Sequence, residues 1–94
     1  MPPEWIMNYK YNPSFLRDVK KSNPEIQVSL AEIIEVIKSA PTLNDIPNVK
    51  KLKGHKTAYR IKVNTFRLCF YYSEDKVLIL ARFLPRKDVY RFFP

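Results

Sequence analysis

Lys62, Arg67, Arg86 and Tyr90 are the side chains here best suited to chemistry on a phosphodiester, and Arg60, Lys53, Lys56, Arg82, Lys87 and Arg91 surround them along the chain. RNA carries its own nucleophile, the 2′-hydroxyl. A catalyst need only align that group with the phosphate, remove its proton, stabilise the dianionic transition state and serve the departing 5′-oxygen. Histidine is convenient for this but not essential. Crowding by arginines favours a neutral lysine amine, so Lys62 is a candidate base if it is partly shielded from water. Arg67 offers a planar fork for the phosphorane oxygens. Arg86 would stabilise or protonate the leaving group, and Tyr90 would fix the sugar hydroxyl or stack on a base.

The charge distribution supports an anionic partner. Residues 1–49 carry five Lys and Arg against six acids, a net of −1, whereas residues 50–94 carry twelve against three, a net of +9. Such asymmetry points to nucleic acid, a membrane surface or an acidic protein that covers the patch; a solvated, solubilising face is the competing explanation. Ninety-four residues, 46% hydrophobic and 14% aromatic with one glycine, are expected to form a single domain over residues 1–94. One cysteine permits no internal disulfide, and one histidine leaves no metal-ligand cluster, so neither a metal nor a cofactor is expected. The opening MPPEWIMNYK has no basic n-region and no apolar run of signal length, and no stretch approaches the ~18 residues of a membrane span. A cytoplasmic protein with no membrane partner is the expectation.

The elements that would position these side chains follow from periodicity. Residues 5–11 read as a short aromatic strand that stops at Asn12-Pro13. Asn12 can cap a helix, Pro13 suits its first position, and Phe15, Leu16 and Val19 form one apolar stripe. Asn23-Pro24 repeats the device, and Ile26, Leu30, Ile33, Ile34 and Ile37 then follow a helical pattern that Pro41 ends. Residues 41–57, with two prolines and the glycine, read as a connecting loop. The period then switches to two, predicting strands over 58–63, 66–72 and 76–84. The plan is α+β: a strand, two helices, a three-stranded antiparallel meander and a short C-terminal segment, with the helices packed on one face of the sheet.

Register places the cations. A two-residue turn at Asn64-Thr65 sets Val63 opposite Phe66 and Lys62 opposite Arg67, although β-branched Thr65 resists the positive φ of a type I′ turn. A turn at Glu74-Asp75 would set Tyr72 opposite Val77 and Arg67 opposite Arg82, giving three cations in a row. Directly opposed like charges destabilise a sheet by roughly a few tenths of a kcal/mol per pair or more, which an anion would offset.

The run TAYRIKVNTFRLCFYYSEDKVLILARFLPRKDVYRFF resembles the carboxy-terminal half of RelE/ParE-superfamily toxins, small partners in toxin–antitoxin modules. The likeness rests on the basic loop ending in Leu52-Lys53-Gly54, the YRIKV strand, an Arg one residue into the next strand, an acidic turn, an apolar strand and a basic tail ending in Val-Tyr-Arg. With the strand and helices before it, the resemblance spans nearly the whole chain. It implies a toxin of the RelE-like branch, a ribonuclease that cuts mRNA, commonly in the ribosomal decoding site, held inactive by a cognate antitoxin. Arg60, Lys62, Arg67, Arg86 and Tyr90 match the positions that in the family bind the scissile phosphate, serve the leaving oxygen and orient the 2′-hydroxyl. Pro85 stands where relatives often carry Gly-His, so the leaving-group position falls to Arg86 or Lys87, with Arg82 as a further candidate. The rival readings are a ParE-like gyrase poison without nuclease activity and a non-catalytic RNA-binding module.

The remaining singletons read more plainly. His55 is expected as a surface residue or RNA contact, Cys69 as a small packing residue, and Trp5, Tyr9 and Tyr11 as core or helix-packing aromatics. Tyr71 is either a stacking platform beside the cations or covered by a neighbouring segment.

Overall fold

The computed structural model describes residues 8–94. Trp5 and the start of the first expected strand therefore lie outside the described residues. Strand β1 (Asn8–Tyr11) leads into helices α1 (Pro13–Lys21) and α2 (Pro24–Ser39). Proline opens both helices, and the Asn23 side chain accepts a hydrogen bond from Ile26 N at 2.9 Å, a cap worth about 1 kcal/mol. Asn12 holds the N-cap position of α1 without such a side-chain bond.

Residues 41–57 are not only loop. They contain a 3₁₀ turn (Leu43–Asp45) and a three-residue strand, β2 (Val49–Lys51), which pairs antiparallel with β3 (Ala58–Val63). A strand this short, with two exposed lysines, has no hydrophobic alternation to betray it; charge on a short edge strand is what keeps such an edge from pairing further. Strands β4 (Phe66–Tyr72) and β5 (Val77–Pro85) complete a five-stranded mixed sheet in the order β1-β5-β4-β3-β2, with β1 and β5 parallel. A 3₁₀ turn (Arg86–Asp88) and helix α3 (Val89–Phe92) close the chain.

The main core lies between the helices and one sheet face: Phe15, Ile26, Leu30 and Ile37 meet Ile61, Val63, Leu68, Phe70, Leu78, Leu80 and Phe83. Leu16 departs from the expected stripe and is half exposed. Tyr11 is 42% exposed and stacks on Phe15, with ring centroids 5.7 Å apart, while Tyr9 packs partly buried against the core. A second, smaller cluster covers part of the opposite face, where Val89 and Phe93 of the tail sit on Leu52, Ala58, Cys69, Ala81 and Leu84. Tyr71 is half-buried there against Phe93, centroids 5.1 Å apart, so the tail covers it.

The first hairpin has the expected register, with Val63 opposite Phe66 and Lys62 opposite Arg67. Asn64 takes the left-handed conformation (φ 57°), which relieves Thr65 of it. The second hairpin differs. Lys76 (φ 62°) closes a longer turn with its N–H on Ser73 O, so Tyr72 faces Leu78, and a bulge between Cys69 and Phe70 shifts the pairing again. Arg67 therefore opposes Leu84, and Arg82 opposes Cys69; the expected row of three cations does not form.

Candidate active site

Arg67 is the fixed point of the site. It is nine-tenths buried, and its Nη1 donates to the carbonyls of Asn64 (3.0 Å) and Phe66 (2.8 Å) at the β3–β4 turn. No carboxylate pairs with it; among the described residues the ion pairs are Lys38–Glu35 and Arg82–Asp18. Burial and the nearby charges of Arg60 and Arg86 lower its pKa from the usual guanidinium value. A guanidinium has five N–H donors, so those not held by the turn are free to meet an anion.

The tail brings the remaining groups to Arg67. Pro85 ends β5, and the Arg86 N–H donates to Thr65 O at 3.0 Å, which ties the tail to the same turn. Val89 then anchors α3 in the second core and leaves Tyr90, on the same short helix, 76% exposed. The result is an open cleft of about 870 Å³ lined by Lys62, Arg67, Arg86, Lys87 and Tyr90, with Asn64, Thr65 and Pro85 between them. Among the described residues, four cations and no acid face it.

The other expected RNA contacts scatter. Arg60 joins a neighbouring recess, and its guanidinium lies 5.8 Å from the Tyr90 ring centroid, within cation–π range. Lys53 and His55 line a separate hollow of about 160 Å³ that reaches Tyr90 from the β2–β3 loop, where Gly54 makes the turn with φ 82°. Lys56 and Arg91 are exposed outside the cleft, Arg91 with its guanidinium 5.3 Å from the Phe92 ring. Arg82 is withdrawn from the set. Its Nε and Nη2 donate to the Asp18 carboxylate at 2.7 and 3.0 Å, and its charge is neutralised inside the fold. Lys62 is exposed, so in the free protein it lacks the shielding expected of a base.

Two residues escaped the sequence reading. Asp18 was invisible because its partner lies 64 residues away. Lys50, which composition alone assigns to the connecting loop, stands on β2 directly opposite Arg60. Alternation against Arg60 would have found it only if β2 itself had been recognised.

Buried Cys69 plays a packing role beside Arg67 on this face, and burial pushes its thiol up to about 12. Among the described residues, no helix is long and apolar enough to cross a membrane.

No family model matches the chain. Toxin RelE3 of Methanocaldococcus jannaschii is 33% identical over 89 residues, which cover 94% of this chain and all of that protein. The crystal structure of a RelB–RelE antitoxin–toxin complex from Methanococcus jannaschii superposes with a TM-score of 0.73 at 32% identity, covering 89% of this chain and 98% of that one. The archaeal RelE–RelB complex from Pyrococcus horikoshii shares the fold, with a TM-score of 0.69 at 18% identity over 86% of this chain and 96% of that one. The α+β plan drawn from the sequence is the RelE fold, and with a full-length relative at one-third identity the chain belongs to the RelE toxin family.

Proposed function

We propose that this toxin is an endoribonuclease that cleaves mRNA, in association with the ribosome, and that a cognate antitoxin silences it by laying an acidic or amphipathic segment over the basic face. The observation that carries the reading is the cleft in which Lys62, Arg67, Arg86, Lys87 and Tyr90 converge with no carboxylate among the described residues. The antitoxin half rests on the relative from Methanococcus jannaschii, whose solved structure is a RelB–RelE complex.

In the proposed reaction the 2′-oxygen bonds to phosphorus as the P–O5′ bond breaks, leaving a 2′,3′-cyclic phosphate and a 5′-hydroxyl. The Lys62 amine is the base for the 2′-hydroxyl proton; RNA lying across the cleft supplies the cover that this exposed side chain lacks in the free protein. Arg67, held by its two backbone carbonyls, meets the non-bridging oxygens with donors already oriented, so little reorganisation is needed as charge builds. Arg86 stabilises the departing 5′-oxygen, and Lys87 beside it delivers the proton, an ammonium being the better acid of the two. Tyr90, steadied by Arg60, orients the sugar hydroxyl or stacks on a flanking base. The nucleophile belongs to the substrate, so no metal is needed to generate one.

The test is induction of the wild type and of Lys62→Ala, Arg86→Ala and Tyr90→Phe, each checked for folding by circular dichroism, followed by mapping of mRNA 5′ ends. New ends that disappear in the variants support the reading. In purified reactions Arg67→Gln should slow cleavage by about 10² to 10³, the usual loss for one preorganised donor at a developing oxyanion. Growth arrest with intact transcripts and broken DNA would instead identify a gyrase poison, and RNA binding without new ends a non-catalytic module.

A further inference from the structure

Beside the cleft lies a second recess of about 100 Å³, lined by Asn48, Lys50, Arg60, Lys62 and Arg67. It shares Lys62 and Arg67 with the cleft, so the two adjoin across these side chains. Strand pairing stacks cations across this part of the sheet: Lys50 faces Arg60 across β2 and β3, and Lys62 faces Arg67 across β3 and β4. Two directly opposed like-charged pairs side by side weaken a sheet. None of these four cations has a carboxylate partner among the described residues.

Size limits the occupant. At about 30 Å³ per water, the recess has room for a phosphate group or a few waters, whereas the cleft is more than eight times larger and takes a scissile linkage with its flanking groups. We propose that the recess is a second phosphate subsite, built around Lys50 and Arg60, that grips the phosphate adjoining the one in the cleft. This rests on the nucleic-acid reading of the cleft and deepens it. Arg60 links the two regions, since it lines the recess while its guanidinium lies over the Tyr90 ring. One strand of RNA thus crosses the sheet from the tail towards the β2 edge, with successive phosphates held by the cleft and by the recess. Lys50 acts here as a binding residue and takes no part in bond cleavage.

The experiment uses the full chain and three non-cleavable 2′-O-methyl trinucleotides, one with two phosphates and two with a neutral methylphosphonate replacing one or the other of them. Each possible placement of the neutral linkage is measured by titration calorimetry at fixed salt. The wild type should prefer the doubly charged oligomer by about tenfold over either neutralised form, as befits a charge-assisted contact. Lys50→Gln should bind all of them within about twofold, and Lys50→Arg should restore the preference. A Lys50→Gln protein that keeps the wild-type preference, or a wild type with none, overturns the subsite. Transcript cleavage is scored separately: a chain that grips two phosphates but cuts nothing keeps the subsite and loses the nuclease.

Discussion

At the residue scale, the unusual feature is the Arg67 guanidinium, buried with no carboxylate partner among the described residues. Desolvating a charge is costly unless it is paired or hydrogen-bonded. The turn carbonyls of Asn64 and Phe66 supply part of that compensation for Arg67, and an incoming phosphate would supply the rest. Arg82 shows the opposite solution, a bidentate carboxylate partner that removes it from any external role. From sequence the two arginines look alike, each on a strand among apolar neighbours, because pairing is a through-space property. Cys69, between them, has its thiol raised from 9.0 to about 12 by burial, which outweighs the arginines that lower it. A folded-state value above the unfolded one contributes stability that is complete below about pH 9 and is lost as pH rises towards 12. The stability margin of the wild type over Cys69→Ala, read from urea midpoints, should therefore narrow as pH rises from about 9 towards about 12. A disulfide-exchange reagent should reach the native thiol only at the rate of unfolding.

At the element scale, β5 decides more than any other strand. It is apolar on both faces, because the tail packs on one and the helices on the other. A strand buried on both sides has no alternation to specify its register. That is why the bulge was illegible, although Leu80 and Phe83, three apart and both in the main core, are its trace in the sequence. The polar, alternating β3 could be read directly, down to the pairing of Lys62 with Arg67. Because β1 reaches only as far as Leu80, α1 finishes the edge of β5: Ser14 Oγ donates to Ala81 O at 2.7 Å, and the Phe83 N–H donates to Asp18 at 2.9 Å. Asp18 thus satisfies an edge amide and an arginine at once. Asp18→Asn should destabilise the fold by about 2 to 4 kcal/mol, as removal of one partner from a largely buried pair does. It should also loosen α3, since the Arg82 guanidinium lies 5.8 Å from the Phe92 ring. Urea denaturation reads the first effect and backbone hydrogen exchange over residues 89–92 the second.

At the scale of the whole molecule, the net charge of +8 divides into working and structural parts. Each cation that neutralises a phosphate of single-stranded RNA contributes about −0.7 to the slope of log affinity against log salt. The four cations of the cleft predict a slope between about −2 and −3. Lys87→Gln should reduce its magnitude by about 0.7, while Lys76→Gln, in the turn at the far end of the sheet, should leave it unchanged. Filter binding across a salt series measures both. The sequence by itself determined the polarised charge, the two proline-started helices, the β3–β4 hairpin and, through the order of its motifs, the family. These are local or pairwise properties, set by periodicity, capping and turn chemistry. Which cations stay unpaired was decided only by the tertiary structure. Asp18 claims Arg82, the tail docks Arg86 and Tyr90 beside Arg67, and β2 carries Lys50 to Arg60, because Coulomb energy and desolvation depend on distance in space and not along the chain.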